Sequence, residues 1–256
     1  MAKAAIRYNG ASKIIEANAE KGTVLLAGKE ITVTDSPVTG TIYGTLLNFK
    51  SELRALGSKM NEAPYLHPPK APVLYIKPSN TIIGTHSPIP FPKESSVLQT
   101  GAGLGIVIGK KTAKIKEEEA YHYIAGYTIV NDISIPHDSF YRPAVKEKVR
   151  DGFCPIGPWV IERDAVPNPD SLSINVYVNE ELKQTSSTTD LIRPISVLLT
   201  EVSQFMTLYE GDVLIAGTKE NPPLLKEHDT VKIEIEHVGV LENTLVPEHE
   251  VVKELS

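Results

Sequence analysis

The chain has 256 residues, 41% hydrophobic and 23% charged, with a formal net charge of -6; this is an ordinary globular balance, long enough for one large domain or a domain plus a small appendage. No basic block is present, which argues against a nucleic-acid partner. One cysteine, Cys154, rules out an intrachain disulfide, no apolar run approaches the roughly 18 residues of a membrane span, and MAKAAIRYNG lacks a signal peptide's apolar core, so the expectation is a cytoplasmic protein with no membrane partner.

Residues 1–40 read as a small β segment, with short β-rich runs TVLLAG and KEITVT around Gly28. Residues 41–256 read as one larger domain. VTGTIYGTLLNF leads into NFKSELRALGSKMNE, whose helical spacing puts Phe49, Leu53 and Leu56 on one face. LHPPKAPVLYIKPSN is a proline-rich loop, a strand VLYIK and a turn. SPIPFPKESS reads as loop, because alternating prolines resist both helix and ladder. GLGIVIGK is a strand. KIKEEEAYHYIAGY reads as helix: Glu117, Glu118 and Glu119 complement the dipole of its first turn, and Gly126 supplies its C-cap. YTIVNDIS returns as strand, and SLSINVYVNEELKQT is a hairpin turning at Asn179. TTDLIRPISVLLTEVSQFMTL holds an amphipathic helix that Thr189 or Asp190 can cap. EGDVLIAGT and DTVKIEIEHVGVLENTLV alternate as strands. Strands and helices do not alternate regularly enough for a doubly wound sheet, so the fold class is α+β, mainly β, with mixed sheet.

The glycine-rich QTGAGLGIVIGKK does not fit a phosphate cradle. The third glycine of a dinucleotide fingerprint would fall at Ile106, and a P-loop would need glycine at Leu104 and a hydroxyl at Lys111. Polar residues gather elsewhere. Asp132 follows an apolar strand directly, where a carboxylate can point into a cleft. Arg142, Lys146, Lys148 and Arg150 come within twenty residues of it, and a multiply charged acid needs such cations; a solvated charged loop is the alternative. In AGTKENPP the Gly-Thr step at Thr218 lets backbone and hydroxyl approach a ligand, or forms an ordinary turn. The hydroxyls of QTSSTTDL can cap a helix. The seven histidines show no metal-ligand spacing, and Cys154 reads as a buried structural thiol.

Taken in order, VLYIKPSNTIIG, GIVIGK, YIAGYTIVNDIS, RDGFCPIGPWV, VNEELKQ, SQFMTLYEGDVLIAGT and VGVLENTLV resemble the fumarylacetoacetate hydrolase family over about residues 40–246. SFYRPAVKEKVRDGFCPIG and TIIGTHSPIPFP resemble its decarboxylase/isomerase branch, and within it the first half of a chain that joins two homologous halves. The resemblance implies a rolled mixed β-structure sheltering one Mg²⁺ or Mn²⁺, held by a Glu-x-Glu pair and a later Asp. It also implies decarboxylation or isomerisation of di- or tricarboxylate keto-acids in aromatic catabolism. Here Gly101 and Gly103 stand at the two glutamate positions, and Asp132 alone matches the triad. Lys148 matches the family's lysine, Arg142 an arginine of the decarboxylase branch, and Thr218 the threonine of the Gly-Thr step. Glu52 stands where the hydrolases carry a histidine base. The implied roles are catalysis for Lys148 and Asp132 and substrate binding for Arg142, Lys148 and Thr218, converging on one cleft. One aspartate is a poor Mg²⁺ site, so metal binding should be weak or absent and the chain alone weak or inactive; glutamates restored at 101 and 103 should improve binding. The resemblance implies a homodimer, or a heteromer with a second-half paralogue. A non-catalytic assembly partner and a metal-independent keto-acid enzyme are the alternatives.

Overall fold

The computed structural model describes residues 2–254 except 9, 19–22, 27, 28, 32 and 138–141. The expected turn glycine Gly28 and the Ser139-Phe140-Tyr141 part of the branch motif lie outside the described residues. In chain order the elements are β1 (Ala2–Tyr8), β2 (Ala11–Asn18), β3 (Thr23–Leu26), β4 (Lys29–Ile31), β5 (Ile42–Leu46), α1 (Lys50–Leu56), β6 (Val73–Lys77), β7 (Ile82–Ile83), β8 (Ile89–Phe91), β9 (Leu98–Gln99), β10 (Ala102–Ile108) and β11 (Ile124–Asn131). Then follow α2 (Val145–Lys148), β12 (Cys154–Glu162), β13 (Ser173–Val178), β14 (Glu181–Ser187), α3 (Ile195–Phe205), β15 (Val213–Ile215), β16 (Leu224–Leu225), β17 (Thr230–Ile235), β18 (Gly239–Pro247) and α4 (Glu248–Glu254).

Burial follows the residue pattern. β13 and β17 bury alternate residues, as strands with one face on the core do. β10 is buried at every position, because its run of small and aliphatic residues lies between β11 and β15. The large sheet runs β4-β3-β2-β1-β12-β11-β10-β15-β5-β6, with β7 added to β12. The second runs β14-β13-β17-β18-β8, and β16 pairs with β9. Parallel pairs β15–β5, β12–β7 and β18–β8 make the sheets mixed. Trp159 of β12 is fully buried and donates its indole N–H to the Val238 carbonyl at 2.7 Å. A side chain at Gly239 would put its Cβ 2.8 Å from that indole, so glycine there lets β18 close on the ring. β1 pairs antiparallel with β12, so the strands of the first 40 residues extend the large sheet.

The mainly β, α+β expectation holds, with local corrections. Residues Glu117–Tyr123 form only a 3₁₀ helix, and Gly126 lies inside β11. Pairing with β10 and β12 on both sides takes this stretch away from helix. A Cβ at Gly126 would fall 1.9 Å from the Ile161 carbonyl oxygen, so its role is close strand approach. Ile89–Phe91 forms strand β8 despite its prolines, because it is a sheet edge. For α3, the cap comes from a distance: the Asp170 carboxylate accepts the Ile195 N–H at 2.8 Å, while Thr189 and Asp190 sit in a separate turn. α1 stops at Leu56, and its buried residue is Glu52, with Leu53 and Leu56 only half-buried. Among the described residues no helix is long and apolar enough to cross a membrane.

Candidate functional site

Residues two apart in a strand share a face, and β6 uses this to send Tyr75 and Lys77 the same way. Gly44 of β5 pairs with Tyr75; a Cβ there would lie 1.9 Å from the phenol ring, so glycine makes room for it. Both side chains meet Asp132, which follows β11, and Lys148 at the end of α2 meets it too. The Tyr75 hydroxyl donates to Asp132 Oδ2 at 2.6 Å, and the Lys148 ammonium donates to the same oxygen. Lys77 Nζ lies 2.8 Å from Oδ1. That contact is ionic rather than directional, because Oδ1 has no aligned hydrogen-bond donor. The Lys77 ammonium also donates to the carbonyls of Lys148, at 2.7 Å, and Ile133, at 3.2 Å.

Asp132 and Lys77 are fully buried, and such charges persist only when paired. Burial pushes the Asp132 carboxyl upward, but the ammoniums of Lys148 and Lys77 outweigh it and hold the group well below the usual carboxylate range. Burial, and then the Asp132 carboxylate, raise the Tyr75 phenol well above its usual value. The cluster thus consists of one carboxylate, two ammoniums and a neutral phenol. Asn131 locks the neighbouring backbone: its Oδ1 accepts the Thr100 hydroxyl at 2.7 Å and the Gly101 N–H at 3.0 Å.

A cavity of about 270 Å³ opens above this cluster. Gly101, Asp132, Lys148, Thr218, Glu52 and Glu220 all line it. Just before α1, the buried Asn48 donates to the Ala216 carbonyl at 2.7 Å and accepts the Arg193 N–H at 3.0 Å. Glu52 is 7% exposed. Burial, then the charge of Glu220, push its carboxyl up from 4.5 to about 7, against the pull of backbone N–H groups at Leu47 and Phe49 and of the Lys148 ammonium. Glu220 accepts the Ser51 hydroxyl at 2.6 Å. Cys154 is buried beneath, its thiol pushed up to about 12 chiefly by burial, consistent with a structural thiol.

The structure therefore brings Asp132, Lys148 and Thr218 to one cavity. Arg142 instead lines a neighbouring, largely apolar cavity of about 490 Å³, and Lys148 and His137 lie on the wall common to both. Sequence reasoning did not single out Tyr75, Lys77, Ser51 or Glu220. For the first two a signal existed: a lysine two residues from a tyrosine at the end of an apolar strand.

The residues at the expected metal position do not fit a divalent ion. Asp132 already faces two ammoniums, and among the described residues no three His, Cys, Asp or Glu side chains converge to hold a metal. The glycines do not leave space for glutamates either. A Cβ at Gly101 would lie 2.6 Å from the Asp132 carbonyl oxygen, and one at Gly103 would lie 2.7 Å from Ile215 Cγ2 and 2.9 Å from the Gly217 carbonyl oxygen. Backbone has closed over both positions, so restoring glutamates is expected to strain the chain rather than rebuild a site.

The mixed sheets and the carboxylate–lysine cleft define a β-rich protein with a polar cavity at a strand-end aspartate. Residues 41–246 match the family model of the fumarylacetoacetate (FAA) hydrolase C-terminal domain. The chain is 43% identical over 212 residues to the 4-hydroxyphenylacetate degradation bifunctional isomerase/decarboxylase of Escherichia coli, covering 83% of this chain and 48% of that one. It thus spans about half the length of this relative. The fold also matches the crystal structure of 5-carboxymethyl-2-hydroxymuconate delta-isomerase from Mycobacterium smegmatis, with a TM-score of 0.76 and 26% identity over 96% of this chain and 99% of that chain. A further match is maleylpyruvate hydrolase from Sphingobium sp. SYK-6 in complex with manganese (II) ion and pyruvate, with a TM-score of 0.69 and 26% identity over 83% and 73% of the two chains. This chain belongs to the fumarylacetoacetate hydrolase family.

Proposed function

We propose that this chain is a subunit of a decarboxylase/isomerase system of 4-hydroxyphenylacetate catabolism. The substrates of that system are 5-oxopent-3-ene-1,2,5-tricarboxylate, which is decarboxylated, and 2-hydroxyhepta-2,4-diene-1,7-dioate, which is isomerised. The observation that carries the reading is the buried Asp132 with Lys148 at the cavity floor, in a chain 43% identical to half of a bifunctional isomerase/decarboxylase. Lys148 meets a substrate carboxylate as an ammonium held in place by Asp132 and by the face of the Tyr75 ring, 4.8 Å from its Nζ. Thr218 offers a hydroxyl on the same cavity, and Arg142 lies where a longer diacid extending past Lys148 would end.

Because the cation position fits no divalent ion, the metal-assisted step belongs to a second-half paralogue with an intact Glu-x-Glu, and this chain pairs with it or with itself. An obligate interface of that kind would bury on the order of 2,000 Å² or more. The test is co-expression with such a paralogue, followed by size exclusion and assay of both reactions. The reading predicts a heteromer whose decarboxylase activity disappears when only the paralogue's glutamates are replaced. A chain that stays monomeric at tens of micromolar and ignores the paralogue would contradict it.

A further inference from the structure

We propose that Gln184 of β14 is a positioning residue for this cavity: its side-chain amide holds the loop after β15 and so sets where the Thr218 hydroxyl meets a ligand carboxylate. The proposal rests on the reading of the cavity as a carboxylate site. Residues 218–222 form one continuous stretch of the cavity wall. The two ends of this loop are tied to the molecule around the large sheet. At one end the Ala216 N–H donates to the Leu104 carbonyl, and the Ala216 carbonyl accepts the Asn48 amide at 2.7 Å. At the other the Thr100 N–H donates to the Pro223 carbonyl at 3.3 Å. The stretch between is held from the second sheet. Gln184 Nε2 donates to the carbonyls of Glu220, at 3.0 Å, and Asn221, at 3.1 Å, and the Lys219 ammonium donates back to the Thr185 carbonyl at 2.8 Å.

The residue type suits the task. A primary amide carries two N–H groups on one nitrogen, so one side chain serves two successive carbonyls; a hydroxyl has one donor and a carboxylate none. Asn221 takes φ +51, a left-handed conformation that asparagine tolerates, and the carbonyls on either side of its Cα both reach Gln184. Gly217, just before Thr218, has φ +138, which glycine alone adopts readily. The link into Thr218 is therefore permissive, and the bonds further along decide where the loop lies. Strand β14 is built to aim Gln184. Its pairing with β13 steps from Val176–Gln184 to Tyr177–Leu182, so Lys183 is the extra residue of a bulge, a device that re-aims a side chain. Leu182 is exposed, whereas Gln184 is half-buried and directs its amide at the cavity wall rather than at its own sheet.

The test uses the full chain with glutarate as probe, its binding followed by calorimetry, and amide hydrogen exchange followed by NMR. Gln184→Met keeps the side chain's length and removes both donors; Gln184→Glu keeps its shape and sets a carboxylate against the two carbonyls. Each should weaken glutarate binding about tenfold, the size of one or two lost hydrogen bonds. Each should also speed exchange at the amides of residues 218–221 while β13 and β17 exchange as in the wild type. In a Thr218→Val background the same changes should weaken binding by less than about twofold, the spread expected of uncoupled sites. A merely structural role would not produce that dependence on Thr218. Wild-type affinity in both variants, equal losses with and without Thr218, exchange that rises in β13 and β17 as much as in the loop, or loss of folding in both variants would overturn the proposal and leave the carboxylate reading standing. Failure of the wild type to bind glutarate would overturn both.

Discussion

Two groups on the cavity wall, the Asp132 cluster and the Glu52–Glu220 carboxylates, solve opposite electrostatic problems. On the Asp132 side every charge has a partner: Lys77, Lys148 and Tyr75 all reach one carboxylate, and the spare protons of Lys77 go to backbone carbonyls. At Glu52 burial and the charge of Glu220 outweigh the backbone N–H groups of Leu47 and Phe49 and the Lys148 ammonium. The paired side keeps its carboxylate ionised, with a proton affinity far from neutrality; the Glu52 side brings its carboxyl close to neutrality. Matched charge gives a fixed platform, and burial beside a like charge raises a carboxyl's proton affinity.

The sharpest way to break the contrast is to remove Lys77. Its loss leaves a buried carboxylate with one cation and two carbonyls without a donor, so Lys77→Ala should cost about 3–5 kcal/mol of stability, read by denaturant unfolding. An effect below about 1 kcal/mol would mean that Lys77 is incidental to the platform.

The next prediction uses pH. Glu52 binds its proton more tightly folded, at about 7, than at its ordinary value of 4.5. The folded chain therefore holds more protons between those values, and its stability falls as pH rises from about 4.5 to about 7, then levels off. The span corresponds to on the order of 3 kcal/mol. Glu52→Gln should flatten that window. Asp132 contributes with the opposite sign: its folded affinity is depressed below 3.8, so its stabilisation is present above that value and lost as pH falls further. Asp132→Asn should weaken the acid-side dependence only, and stability profiles of the two variants distinguish the two sides.

Smaller effects sharpen the picture. The pair Gly101→Glu and Gly103→Glu should destabilise by about 1–3 kcal/mol, as overpacking does, with no gain in Mn²⁺ binding by calorimetry. Arg142→Ala should weaken binding of a dicarboxylate by about 1.5 kcal/mol, the low end for charge-assisted bonds, and by less than Lys148→Met, because Arg142 lines the second cavity.

Much of the architecture was legible in the residues. The apolar runs around Leu104, Ile129 and Ile156 mark the central strands, and the hairpin at Asn179 turns there with φ +50. What was not legible depended on distant pairing. Gly126 looked like a helix cap until β10 and β12 flanked it, and α3 takes its cap from Asp170, far back in the chain. The site divides in the same way. Asp132, Lys148 and Thr218 could be chosen from strand ends and motifs, whereas the Lys77 contact, the Ser51–Glu220 bond and the separation of Arg142 from Thr218 come from how β6, α1 and the loop after β15 meet. By the resemblance Gly101 and Gly103 stand at ligand positions, and the structure adds that a Cβ at either meets atoms closer than 3 Å.

The central claim is that the ammoniums of Lys77 and Lys148, not a divalent ion, sit on the Asp132 carboxylate. Calorimetric titration of the chelator-stripped chain with Mn²⁺ and Mg²⁺ tests it most directly. The account predicts no site tighter than roughly millimolar, since Mg²⁺-type ions rely on several oxygen ligands. A stoichiometric site of micromolar affinity that is lost in Asp132→Asn would contradict it.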